Sequence, residues 1–321
     1  MATKKRTYKK RTPAVKRKTG KNKSGTDWTW RILCALFVLS LIAVILYYTC
    51  RKEVRSVTRE VVHKTENVVG VNKPADKNRT DRETTSEEVF SVPVYTDLEI
   101  PVWETSEPSQ IIRHTGYTVS YNKRLHIPNW VAYELTRAET AGTEKRTNDF
   151  IDDPYADGAC ATDRDYRGSG YDKGHMAPAG DMKWSRDAMK ESFYFTNICP
   201  QKPGLNRGAW KKLEEAIRNW AVRDSAIVIV CGPLTDKKSG RLGDTKVAVP
   251  NAFFKVVAAP YLRNPRAIGF IFTNQSADKS PEYYAVTVDS VEKVTGIDFF
   301  AGLPDGIETR IEKECNYKDW Q

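Results

Sequence analysis

The sequence predicts an α+β domain on a mostly antiparallel central sheet, and three observations carry that reading. Strand-like apolar runs recur through the second half of the chain without helices separating them regularly, which disfavours a doubly wound parallel sheet. Helical periodicity is strong at one place: Leu213, Ala216, Ile217, Trp220 and Ala221 fall at i, i+3, i+4, i+7 and i+8, a single apolar stripe. Just ahead of that stripe, between Tyr171 and Asn206, the chain concentrates a histidine, amides and several basic side chains.

Taken from the start, residues 1–31 hold 12 Lys and Arg and one acid, Asp27. They read as a basic head. Residues 32–50 (ILCALFVLSLIAVILYYTC) are 19 residues without a charge. As a helix they would rise roughly 28 Å, enough to cross a bilayer core. Trp28, Trp30, Tyr47 and Tyr48 flank the run as interfacial anchors do. A cleaved signal peptide is the alternative, but the long basic head and the lack of an Ala-x-Ala-like site argue against it. The expectation is one N-terminal transmembrane helix acting as a signal anchor, with the head cytoplasmic and the folded domain outside the cytoplasm. Residues 51–100 are polar without clear period and read as a linker, which leaves 101–321 as the folded domain.

The net charge of +10 invites a nucleic-acid reading, but its distribution weakens it. Residues 1–109 hold 21 Lys and Arg against 13 Asp and Glu, whereas residues 110–321 hold 30 against 28. Any phosphate-binding surface on the domain must therefore be local. Four cysteines fall in the domain: Cys160, Cys199, Cys231 and Cys315. Their spacings contain no Cys-x-x-Cys, so a structural zinc site is disfavoured. Three disulfide pairings, or buried free thiols, remain open.

Within the domain, 131–135 alternates as a strand does, 226–232 and 267–272 are buried apolar runs, and 253–257 and 284–288 are shorter strands. Helices are expected over the 213–221 stripe, over 185–191, and over 289–294 with a stop at Gly296. Gly168, Gly170 and Gly174 imply a tight approach to a strand delivering His175, with 192–196 (SFYFT) as its partner strand. Two strands followed by the striped helix would bring His175 and Asn206 to one end of the unit.

The chemistry of such a unit suits an anionic diester. Hydrolysis needs an activated water, neutralised charge and a protonated leaving oxygen. A neutral imidazole, His175, is the best side-chain base near neutral pH. Magnesium keeps most of its waters and needs only one or two protein oxygens, so one amide, Asn206, suffices as ligand. Glu214 lies eight residues on, roughly 12 Å along a helix, and fits a role toward the metal's waters rather than the metal itself. His63, His114 and His126 read as structural. Taken singly these residues carry little, since an asparagine before a helix is usually a cap; their conjunction carries the reading.

Those residues stand in segments that resemble a known family. GYTVSYN (116–122), PNWVAYELT (128–136), DYRGSGYDKGHMAPAGDM (165–182), SFYFTNICPQ (192–201), LNRGAWKKLE (205–214), VPNAFFKVV (249–257) and TGIDFF (295–300) are similar, in order and spacing, to the non-specific DNA/RNA endonucleases with the Asp-Arg-Gly-His motif, a family that includes mitochondrial endonuclease G. The resemblance implies a ββα-metal (His-Me finger) core and a Mg²⁺-dependent endonuclease, with Mn²⁺ as an alternative ion, leaving 5′-phosphate and 3′-hydroxyl ends. It implies His175 as general base, Asn206 as metal ligand, Glu214 as orienter of the metal's water shell, and Arg146 set against transition-state charge. The motif's arginine is Lys173 here, which keeps the charge for a phosphate but loses the bidentate fork. Arg167 is a further candidate phosphate contact.

The expected partners are DNA or RNA as substrate and a membrane through residues 32–50. Oligomeric state stays open, a homodimer included. The rival readings are a non-catalytic nucleic-acid receptor on the same fold, and a tether whose basic head is the working part.

Overall fold

In the computed structural model, which describes residues 92–321, the apolar runs become the middle of a seven-stranded sheet. In chain order the strands are β1 (Gln110–Arg113), β2 (Thr118–Asn122), β3 (Ile127–Thr136), β4 (Asp172–His175), β5 (Ile198–Gln201), β6 (Ala226–Leu234), β7 (Arg241–Leu242), β8 (Val247–Ala248), β9 (Ala252–Ala259), β10 (Arg266–Thr273) and β11 (Ala285–Val286). The helices are α1 (Arg137–Thr140), α2 (Asp163–Tyr166), α3 (Arg186–Glu191), α4 (Lys211–Asp224), α5 (Val288–Thr295) and α6 (Asp305–Lys313). The large sheet runs β1-β2-β3-β6-β9-β10-β11, and every pairing in it is antiparallel.

Both faces of its central strands are buried, which is why β6, β9 and β10 read as continuous apolar runs. Strand alternation sorts their residues between two layers. Tyr133, Ile229, Val257 and Phe270 pack with α4, β5 and the turn before α4. Ala132, Val230, Val256 and Ala267 pack with α5, α6, Phe299 and Phe300 on the opposite face. Helix α4 docks through Leu213, Ile217, Trp220 and Ala221, all buried. Each large side chain so buried contributes on the order of 1.5–3 kcal/mol. The chain's last turn closes this layer by setting Trp320 against Trp220, ring centroids 4.8 Å apart.

The antiparallel sheet and all three expected helices are present. Ser185 caps α3 by accepting from the Ala188 amide, and Gly296 ends α5 at φ 69°. Two expected strands need correction. Residues 192–196 are not the partner of the His175 strand: Phe195–Asn197 is a 3₁₀ turn, and the partner is the next segment, β5. Residues 284–288 shrink to β11, because Thr287 turns away to cap α5, accepting from the Ser290 amide. Cys160, Cys199, Cys231 and Cys315 are all free thiols, the first three buried.

Among the described residues no helix is long and apolar enough to cross a membrane. The longest, α4, has 14 residues and rises only about 21 Å. The expected head, transmembrane helix and linker, and His63, lie outside the described residues, apart from the last residues of the linker.

Candidate active site

The site is built on a two-stranded ribbon followed by a helix. Gly168 (φ 69°) and Gly170 (φ 78°) make a turn that side chains would strain, and it feeds β4. β4 pairs antiparallel with β5 so that His175 lies opposite Ile198 and Gly174 opposite Cys199. A Cβ on Gly174 would sit 2.4 Å from the Gln201 side-chain oxygen, so the close approach requires glycine. The chain after His175 is held by Asn197, which is fully buried. Its Oδ1 accepts from the Ala177 amide at 2.9 Å, and its Nδ2 donates to the carbonyls of Ala177 and Ser192 at 2.9 and 2.8 Å. The Met176 amide also donates to the Asn197 carbonyl. That clamp makes 195–197 a turn rather than a strand.

His175 is buried between two rings, edge-on to Phe193 at 4.9 Å and tilted to Phe150 at 5.4 Å. Both rings also carry cations: Arg146 lies over Phe193 at 5.0 Å and Lys173 over Phe150 at 3.8 Å. Backbone pairing of Ile151 with Phe193 and Phe195 ties the Arg146–Phe150 segment to this spot. Burial, then the charges of Arg146 and Lys173, push the imidazole pKa down to about 3. The ring is therefore neutral throughout the physiological range, and its Nε2 is buried with no hydrogen-bond partner.

Beyond β5, the helical turn Leu205–Trp210 is wide and departs from helical geometry at Gly208, where the Ala277 carbonyl comes so close that a Cβ would lie 2.4 Å away. Asn206 sits in this turn. Its Nδ2 donates to Asp172 at 2.9 Å, which leaves Oδ1 as the free face of the amide. Arg207 grips the same carboxylate with two bonds, of 2.8 and 2.6 Å. Glu214 follows in the first turn of α4. Burial raises its carboxyl to about 7, against the opposing charges of Lys255 and Arg218 and with Asp181 adding to the rise. Behind it, buried Asp181 accepts from Tyr133 Oη and Arg218 Nη1, both at 2.8 Å. The fully buried Lys255 reaches the Met176 carbonyl and lies 4.6 Å from the Trp210 ring centre.

The structure brings His175, Arg146, Lys173, Asn206 and Glu214 into one cleft of about 470 Å³. Arg207, Lys211 and Arg218 also line it, so five cations face one carboxylate there. The near-neutral domain does hold a concentrated basic surface. Arg167 is elsewhere: exposed at the end of α2, it lines a neighbouring hollow that shares only Lys173 with the cleft. Lys173 is also paired with Asp163. His114 is structural as expected, buried and bonded to Asp153 at 3.0 Å, and His126 contacts the Ala159 carbonyl from a loop.

A divalent ion suits this cleft. Asn206 is held with its carbonyl oxygen left over, and no group of three His, Cys or carboxylate side chains closes around a point there among the described residues. One amide oxygen with water completing the shell is what magnesium tolerates and zinc does not. Sequence reasoning gave no role to Asp172, Asp181, Arg218, Lys255 or the two phenylalanines. Their partners lie far off in sequence, and only the position of Asp172, three residues before His175, could have flagged one of them.

Comparison with known proteins finds nucleases. The chain is 34% identical over 209 residues to "Nuclease EXOG, mitochondrial" of Mus musculus, covering 60% of this chain and 57% of that protein. It is 34% identical over 227 residues to "Nuclease 1, mitochondrial" of Schizosaccharomyces pombe, covering 64% of this chain and 70% of that one. The chain thus spans little more than half the length of the mouse relative. A solved structure of an EndoG/EndoGI complex superposes with a TM-score of 0.57 at 30% identity, covering 61% of this chain and 89% of its own. The relatives named as mitochondrial correct the expected single-pass membrane localisation with an extracytoplasmic domain. Residues 95–306, about two-thirds of the chain, match the DNA/RNA non-specific endonuclease family, to which this protein belongs.

Proposed function

We propose that the domain hydrolyses phosphodiester bonds of DNA, RNA or both, with little sequence preference and with a divalent ion, Mg²⁺ or Mn²⁺. The observation that carries this reading is a buried, neutral His175 set in a cleft of five cations beside the one amide oxygen of Asn206. Arg146 and Lys173 bind the phosphate from the His175 side. His175 takes the proton of the attacking water at its unprotonated ring nitrogen, since burial and its two cationic neighbours keep the imidazole neutral. Asn206 would hold the ion through Oδ1, oriented by Asp172, and Glu214 would accept hydrogen bonds from the waters around it. Mg²⁺, when bound there, supplies neutralising charge at the phosphate and its leaving oxygen. Arg146 also stabilises the extra negative charge of the transition state. Backbone phosphates are common to every sequence, so a cleft of cations reads charge and spacing rather than bases.

The test is incubation of the purified chain with plasmid DNA and with RNA, with Mg²⁺ and with excess chelator. Cleavage of at least one nucleic acid to 5′-phosphate ends, abolished by chelator and strongly reduced in Asn206→Ala, is expected. Undiminished cleavage in chelator would refute the metal role. Salt-sensitive binding without cleavage under any ion would favour the non-catalytic receptor.

A further inference from the structure

On the face of the sheet opposite the cleft, α5 and α6 bring five carboxylates together. Asp289 and Glu292 stand at i, i+3 on α5, Glu308 and Glu312 at i, i+4 on α6, and Asp298 on the segment between them. One oxygen each of Asp289, Glu292 and Glu312 lie within 4.8 Å of one another, as do those of Asp298, Glu308 and Glu312. Glu312 belongs to both groups. It is 7% exposed, and its Oε1 is buried with no hydrogen-bond partner. Among the described residues no Lys or Arg pairs with any of the five; Arg310, on the same helix, pairs with Glu314 and the Pro265 carbonyl instead.

We propose that this cluster is a binding site for a calcium-class divalent cation, with Glu312 as its central ligand. A buried carboxylate without a partner costs several kcal/mol unless a proton or a cation satisfies it. The spacing favours a cation. Ca²⁺ takes six to eight oxygens at about 2.3–2.6 Å, so ligands across the ion lie up to about 5 Å apart, which the groups of oxygens match. The scaffold is also set in advance. The Glu292 Oε1 accepts from the Phe299 amide at 2.9 Å, which orients its carboxylate. Asp298 is fixed by two backbone bonds of 2.9 Å to Val102, and Gly296 ends α5 just before it. An ion here would join α5, α6 and the Val102 segment, locking one covering layer of the sheet. Magnesium, which demands a near-ideal octahedron, fits a cluster of flexible carboxylates less well.

The experiment titrates CaCl₂ calorimetrically into the chelator-stripped full chain carrying Asn206→Ala, which disables the cleft's own ion site, and follows its thermal unfolding. One calcium should bind and Tm should rise with calcium. Adding Glu312→Gln, which replaces a protonated carboxyl with an amide of the same shape, should weaken binding by more than about tenfold and remove the Tm response. Should that variant fail to fold, Glu308→Gln, at a half-buried position, must weaken binding likewise. Absence of any calcium heat or Tm change in Asn206→Ala, or unchanged binding after loss of Glu312 or Glu308, overturns the site.

Discussion

His175 combines two features that seldom meet on an exposed histidine: it is neutral at every ordinary pH, and one ring nitrogen is left without a partner. The first has a consequence for stability. Its folded pKa of about 3 lies below the ordinary value of 6.5, so the folded state resists protonation. The stability tied to the neutral ring is present above pH 6.5 and is lost as pH falls through the folded value. In chelator, the drop in unfolding free energy between pH 7 and pH 4, from urea denaturation, should be smaller in His175→Gln than in the parent, by on the order of 1–3 kcal/mol. An equal drop in both would show that the ring is not held neutral by its surroundings. The candidate residues legible in the sequence were those with distinctive chemistry at a distinctive spacing, His175, Asn206 and Glu214. Asp172 escaped because its value lies in partners 34 and 35 residues away, Asn206 and Arg207. Arg167, expected as a further phosphate contact, ends α2 and lines the hollow next to the cleft together with Lys173.

Between residue and fold, the ribbon and its turn do the positioning. Asn197 satisfies three backbone groups around His175 while itself fully buried. In Asn197→Ala those groups lose their partners, at about 1–3 kcal/mol for each one left unsatisfied. Chemical denaturation should show a loss of at least about 2 kcal/mol. The folded fraction should also cleave more slowly, because the turn that aims the imidazole is released. A variant with parental stability and parental rate would remove the clamp from the account. The same turn explains the misplaced strand. SFYFT is apolar and aromatic, as strands are, but its Phe193 ring walls His175 and its end is bent by Asn197. The true partner, Ile198–Gln201, contains Pro200, which normally argues against a strand and is tolerated here in a two-stranded ribbon. β2 was not among the expected strands although 118–122 alternates polar and apolar residues; its polar Ser120 and Asn122 are buried as well, bonded to Ser109 and Asn129. The α4 stripe, the central sheet runs and the Ser185 and Gly296 helix boundaries were legible because one periodicity or one cap determines each of them.

At the scale of the molecule, the sheet separates two charge environments, a basic cleft over one face and an acidic cluster behind the other. Substrate should therefore meet the cleft face, and its binding should weaken steeply with salt. Each phosphate contact contributes a slope of roughly −0.7 to −0.9 in log affinity against log salt. Lys173→Ala should reduce that slope by about one contact with only a modest change in the chemical step. Filter binding across a salt series checks this, and an unchanged slope would place Lys173 outside the phosphate path. The central claim is that His175 performs the proton transfer rather than holding the nucleic acid or the fold. The most direct measurement is single-turnover cleavage by His175→Ala beside its binding of the same substrate. The rate should fall roughly 10²–10⁴-fold while affinity and its salt dependence stay near parental values. If binding and rate fell in equal measure, His175 would be a contact or structural residue, and the proposed chemistry would be contradicted.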